Sequence, residues 1–576
     1  MADKPVRWRR RILIVLLVLV VAGAASRVWL NRHEVPEGSY VLLDLEGDYR
    51  EEVSSDTLTR LFGERSMSLL DLLLLIRDAG EDPRVAGLIL RVRPLAVGWA
   101  KAQEIREALL RFRDSGKPLH AYLELELSGG TMEYYVASAA EQVHVPPSTA
   151  APVTGLLAQF VFLGGVWEKL DIDMQVLKIR EYKTAGDMLA NKEMSPHHRE
   201  MANSLLDSIY AQLVDGIAAQ RDLPPAAVRA AIDSGPATSD ELQKAGFVDG
   251  AEYLDELRTA LVGERGTFLS GDDYADERRP LPAQGPVRHR FAVVYGVGAV
   301  TTGDSESSPV DGEANMGADS LGEAFEEAAR DESVEAIVFR VDSPGGSALA
   351  SDLIWRSARA AAEAKPVIVS LSDVAASGGY YVAAAGSRIL AQPGTITGSI
   401  GVVLAKPNVA GLLGRLGITT AALRRGELAG MMSLTESFGP SELRRINATM
   451  DYIYELFLER VAKGRSLDRE QVNAVGRGRV WTGAQATENG LVDELGGFLT
   501  AINAAKTAVG IPVEEKVELV FYPHRRSLLE RLASGLGTRL WGSMPVWWQQ
   551  LRRATSAWRF PAGSILTLLP ADISIR

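Results

Sequence analysis

A chain of 576 residues has room for several domains, and its composition, 46% hydrophobic and 24% charged, can bury large cores. A formal net charge of −12 argues against nucleic acid as the main partner. The absence of cysteine excludes a disulfide framework, a thiol nucleophile and Cys-based zinc sites.

The amino terminus reads Arg7-Trp8-Arg9-Arg10-Arg11 and then runs without charge from Ile12 to Ala25. A basic flank followed by an apolar run keeps the amino end in the cytoplasm and exports the bulk. Residues 1–32 therefore read as a flank and an N-terminal membrane anchor helix, which reaches Leu30 if Arg27 snorkels. The rival is a cleaved signal peptide ending at Ala22-Gly23-Ala24.

From Tyr40 the chain carries two copies of one unit. Asp82 to Val92 matches Asp331 to Val341, Gly116-Lys117-Pro118 matches Ala364-Lys365-Pro366, Tyr134 to Ala139 matches Tyr380 to Ala385, and Gly246 to Asp249 matches Gly490 to Asp493. The offset drifts only from 249 to 244 residues, which marks a tandem duplication. Each copy alternates short apolar runs with helical stretches, the pattern of an α/β fold with βαβ crossings. Each also carries a long helical arm, Ser195 to Gln220 and Ser441 to Lys463. The repeats are placed at 37–272 and 291–510, with a linker at 273–290 and an extension at 511–576. Thr301 to Asn315, polar and acidic, reads as a mobile loop.

The chemistry points to the second copy. Pro366 to Leu371 reads as a buried strand, followed by Asp373-Val374-Ala375-Ala376-Ser377-Gly378-Gly379 and a small-residue helix. A serine at a helix mouth has backbone N–H groups aimed at it and sits at the positive end of the dipole. A second strand, Val334 to Val341, ends in Ser343-Pro344-Gly345-Gly346, a sharp turn with bare N–H groups. The two turns lie about 30 residues apart, one strand–helix–strand unit, and should emerge side by side at one sheet edge. Gly345 and Gly378 could then hold an oxyanion above Ser377. The first copy has Pro94-Leu95-Ala96-Val97 and Thr131-Met132-Glu133 at these places, so it has lost the turn and the nucleophile.

A serine needs a neighbouring base. No histidine occurs between His289 and His524, so a histidine would have to come from His33, His120, His144, His197 or His198. The alternative is a lysine whose pKa falls on burial. Sequence does not choose among the lysines. Lys183 is preferred because the matching zone of the second copy, Glu427 to Ala429, has none.

Asp342 to Gly346, Ala376 to Tyr380, Thr397 to Gly401 and Tyr182 to Ala185 together resemble the motifs of signal peptide peptidase A, in its long, duplicated, membrane-anchored bacterial form. The resemblance covers roughly Tyr40 to Lys506. It implies tandem Clp-protease/crotonase-like units and a Ser-Lys dyad, with Ser377 as nucleophile, Lys183 as general base, Ser399 orienting the lysine, and Gly345 and Gly378 donating to the oxyanion. It implies no metal or cofactor, hydrophobic peptides such as cleaved signal peptides as substrates, and a homotetramer on the outer face of the inner membrane. A crotonase-like acyl-CoA enzyme and a non-catalytic membrane scaffold are the competing readings. One departure is the tail from His524 to Arg576, rich in tryptophan and arginine, which reads as an amphipathic segment on a membrane surface and is not expected to do chemistry.

Overall fold

The computed structural model describes residues 35–51, 67–127, 129–263, 266–277, 288–306, 314–523 and 566–568. The expected anchor, the centre of the linker and most of the tail lie outside these residues. Among the described residues no helix is long and apolar enough to cross a membrane.

In the first half, strands β1 (Ser39–Gly47), β2 (Val85–Leu95), β3 (Leu119–Leu123) and β4 (Gln142–Val145) alternate with helices α1 (Leu69–Glu81), α2 (Trp99–Asp114) and α3 (Thr131–Ala137). An arm follows, made of β5 (Asp173–Ile179) and the long α4 (Pro196–Arg221), before β6 (Gly250–Ala251) and β7 (Phe268–Ser270) return to the sheet. The strand order is β6-β4-β3-β2-β1-β7, all pairs parallel.

The second half repeats this plan. Strands β8 (His289–Val297), β9 (Ala299–Thr301) and β10 (Asn315–Gly317) lead into α5 (Ala318–Arg330). Then come β11 (Ala336–Ser343), β12 (Gly345–Ser347), α6 (Ala348–Ala364), β13 (Val367–Ala376), α7 (Gly378–Ala383), β14 (Arg388–Ala391), β15 (Ile396–Gly398) and β16 (Val402–Asn408). The long α8 (Pro440–Arg465), β17 (Val480–Thr482), β18 (Glu494–Leu495), α9 (Phe498–Ala508) and β19 (Val517–Tyr522) complete it. Its main sheet runs β17-β15-β13-β11-β8-β19, with β14 and β18 branching from β13.

The strands are legible as apolar runs because helices cover both faces of each sheet. Ala336 to Val341 and Val367 to Leu371 are buried throughout. The duplication also recurs bond by bond. Lys117 donates to Ala79 and Asp82 carbonyls, and Lys365 to Ala328 and Asp331 carbonyls. Tyr134 donates to the Phe247 carbonyl at 2.8 Å, and Tyr380 to that of Leu491 at 2.7 Å. Arg221 clamps Asp249 as Arg465 clamps Asp493. Each of these polar tips lies at the rim of a core, so each needs a partner once its apolar stem is buried.

Two expectations are corrected. Both ends of the supposed Thr301–Asn315 loop belong to strands, because β9 and β10 pair with each other in parallel. And Leu566–Leu568, in the tail read as a membrane-surface segment, forms a strand, β20, that pairs antiparallel with β12 and β16. A third sheet results, in the order β10-β9-β12-β20-β16-β5, and it joins the arm of the first half to the second half.

Candidate active site

Strands β11 and β13 pair in parallel, so the turns that follow them leave the same edge of the sheet. Ser377 caps the N-terminus of α7 in an unusual backbone conformation, φ 56° and ψ −115°. A non-glycine residue at positive φ stores strain and is held there by its surroundings. Here the Ser377 N–H donates to the Gly398 carbonyl at 2.8 Å. At Gly379 an added Cβ would sit 2.5 Å from the Ser343 carbonyl oxygen, so only glycine lets the helix mouth close against the Ser343 turn. Gly345, at φ 97°, donates its N–H to Ser343 Oγ at 3.2 Å.

Lys183 comes from the other half. It follows β5, the arm strand, which pairs antiparallel with β16 from Ile179 opposite Val402 to Asp173 opposite Asn408. This cross-half ladder carries the Tyr182–Lys183 turn onto the second sheet. There the Tyr182 N–H donates to the Arg477 carbonyl at 3.1 Å, and Glu181 forms an ion pair with Arg477. Gly478 then passes so close that a Cβ on it would lie 2.4 Å from the Lys183 nitrogen. The Arg479 guanidinium covers the Tyr182 ring at 4.9 Å and bonds Glu200 at 2.7 Å.

The Lys183 amine is fully buried, with Nζ 2.7 Å from Ser377 Oγ, 2.9 Å from the Ser399 carbonyl oxygen and 3.0 Å from Ser399 Oγ. Burial alone pushes its pKa well below the ordinary lysine value. An uncharged amine has two N–H donors and one lone pair, which these three oxygens match: two contacts to Ser399 and one hydroxyl able to donate. Ser399 is itself held at φ 53°, its N–H donating to the Arg479 carbonyl at 2.7 Å.

The structure thus brings together Ser377, Lys183 and Ser399 in one chain, with the Gly345 turn and the Gly378 helix start beside them. It does not bring in a histidine. Among the described residues, His120 and His144 face each other at 3.5 Å in the first sheet, His197 packs on Tyr182, and His198 packs on Phe160.

A second set of groups was not anticipated. Arg340, in the middle of β11, is fully buried, and its guanidinium meets Glu51 at 2.9 Å and Glu104 at 2.7 Å, both from the first half. It also donates to Ser370 and Ser372. Beside it Lys101 reaches Asp342 at 3.1 Å, and Asp373 accepts the backbone N–H groups of Gly98 and Lys101 at the start of α2. Burial pushes Glu51 up, but Arg340 and Lys101 outweigh it and hold its carboxyl at about 2. Burial dominates at Glu104 and Asp373, raised to about 7 and about 6. Asp342 and Asp373 stand at the bases of the two turns, so this network docks the first half under the site. The sequence signal was an arginine inside an otherwise apolar strand, which requires buried partners. Gly478 had no comparable signal, since its close approach is to a residue nearly three hundred positions away.

A strained serine at a helix mouth, with a buried amine against its hydroxyl, is the arrangement of a serine hydrolase. The sequence profile of peptidase family S49 matches residues 111–266 and 359–512, one match in each half. Serine protease SPPA, chloroplastic, from Arabidopsis thaliana is 36% identical over 517 residues, covering 88% of this chain and 75% of that protein. Protease 4 from Haemophilus influenzae is 30% identical over 523 residues, covering 86% and 83%, and Protease 4 from Salmonella typhi is 30% identical over 85% and 82%. The chain belongs to peptidase family S49 in its duplicated form, and it is a serine peptidase.

Proposed function

We propose that the protein is a membrane-tethered endopeptidase with a Ser377–Lys183 dyad, acting on cleaved signal peptides and other hydrophobic peptides. The observation that carries this is the 2.7 Å approach of a buried lysine amine to Ser377 Oγ. In the first step the Lys183 lone pair takes the Ser377 hydroxyl proton as Oγ bonds to the peptide carbonyl carbon. The carbonyl electrons move onto oxygen, facing the N–H groups of Gly345 and Gly378. For Gly345 this requires exchanging its bond to Ser343 Oγ for one to the oxyanion. Collapse breaks the C–N bond, and the ammonium of Lys183 protonates the leaving amine. Water then repeats the sequence on the acyl-enzyme, giving its proton to Lys183 and returning Ser377. Ser399 fixes the amine with its lone pair toward Ser377 throughout.

The remaining parts of this reading are the Clp-protease/crotonase-like ancestry of each unit, the anchor in residues 1–32, a catalytic part outside the cytoplasm, and a homotetramer. The duplication supports the last. The cross-half ladder joins β5 to β16, while the matching stretches, 156–162 of the first copy and 419–425 of the second, form no strand. Pairing them between neighbouring chains would repeat the same ladder around a ring.

Labelling with a fluorophosphonate, mapped by mass spectrometry, should modify Ser377. Turnover of a hydrophobic peptide and none of an acyl-CoA is the expected outcome. Failure to label, together with acyl-CoA turnover, would overturn the peptide reading in favour of crotonase-type chemistry.

A further inference from the structure

Strands β12 and β16 flank the site from opposite sides, and without an intervening strand they could not share a sheet. The strand between them is β20, the chain's own Leu566–Leu568. It runs antiparallel to both, setting Leu568 opposite Gly345, Thr567 opposite Gly346, Leu566 opposite Ser347 and, across the other edge, Leu566 opposite Val403. The residue proposed to donate to the oxyanion therefore stands in register with a backbone position of the tail. An extended apolar peptide added to an exposed strand edge is the usual way a groove of this kind holds its ligand, main-chain bonds giving affinity. Ile565 to Leu569 has that chemistry in its sequence.

We infer that the slot between β12 and β16 is filled in the resting enzyme by the C-terminal segment Leu566–Leu568, which acts as an intramolecular competitor of peptide substrates. This rests on the endopeptidase reading above and adds its regulation. A tethered strand binds without the translational cost that a free peptide bears, so even weak pairing holds the slot at high effective concentration. Free substrate must displace it, and the apparent affinity falls by the fraction of open slots. A tail that fills nine slots in ten would raise KM about tenfold and leave kcat unchanged.

The test uses the full chain carrying Thr567→Pro. Proline removes one N–H and one ladder bond from a strand that is paired on both sides, and it leaves chain length and net charge untouched. The expected result is a KM for a hydrophobic peptide lowered several-fold at constant kcat. A synthetic peptide spanning residues 561–576, added to the variant, should restore the higher apparent KM competitively. An unchanged KM in Thr567→Pro with Ser377 still labelled by fluorophosphonate would overturn the inference and leave the peptidase reading standing. A fall in kcat would also overturn it, since the tail would then support the site instead of blocking it. Loss of peptide turnover and of labelling in the unmodified chain would sink both readings together.

Discussion

The two halves of this protein place different chemistry at the same point of the same fold. In the second half the Ser343-Pro344-Gly345-Gly346 turn and Ser377 leave backbone N–H groups facing a nucleophile. In the first half the matching space is occupied by a carboxylate. Glu133, from α3, accepts the Leu95 N–H through one oxygen and the Gly130 N–H through the other, each at 2.9 Å. A donor site built for a transient negative charge has become a site that holds a permanent one. The counterpart of Arg340 shows the same divergence. Arg91 pairs with Glu124 at 2.5 Å at a partly exposed sheet face, whereas Arg340 is sealed beneath the first half. Duplication let one half give up substrate chemistry and take on docking, while its arm supplies the amine.

The contrast is tested most severely at the reacting atoms. Ser377→Ala should lower kcat on the order of a millionfold, as removal of a peptidase nucleophile does, and Lys183→Ala roughly a hundred- to ten-thousandfold. Both variants should keep the wild-type melting transition, measured by calorimetry. The pH profile sharpens the assignment. Burial depresses the Lys183 pKa, so the amine is charged and inactive at low pH, and kcat/KM should rise as pH passes upward through that pKa, well below ~10.4. An inflection at the ordinary lysine value would place the base in water.

Docking comes next. Arg340→Met leaves Glu51 and Glu104 buried without their cation and should cost about 3–5 kcal/mol in denaturant unfolding. An equivalent Arg91→Met at the partly exposed site should cost about 1 kcal/mol or less. Glu133→Gln should cost about 2 kcal/mol of stability, through loss of charge-assisted bonds to two backbone N–H groups. It should leave kcat/KM unchanged, since this carboxylate lies in the half without a nucleophile. The smallest effect is expected at Ser399→Ala. Losing one bond to the amine should lower kcat about tenfold or less, with KM held.

Much of this was readable from the chain because it depends on local signals. The Pro-Gly-Gly turn, the Ser-Gly-Gly helix mouth and the buried apolar strands are each written in fewer than ten residues. Lys183 could be reached only by comparing the copies, since nothing in its own surroundings sets it apart. What stayed hidden depends on distant pairing. The β5–β16 ladder joins residues over two hundred positions apart, and its members alternate no more clearly than many surface segments. Gly478 is needed only because Lys183 lies against it. Leu566–Leu568 sits in a stretch whose tryptophans and arginines suggested a membrane surface, and a three-residue strand has no pattern of its own.

The amine and the hydroxyl are 194 positions apart in one polypeptide. During synthesis the segment with the amine emerges well before the segment with the hydroxyl, and neither half alone holds a complete pair. A nascent chain is therefore harmless to its neighbours until its later half has folded onto its earlier one. The 26-residue helix at Pro440–Arg465 and the Arg477–Gly478 strap come after the hydroxyl in that order. Readiness to cut is thus timed by the completion of folding, with no separate propeptide required for the delay.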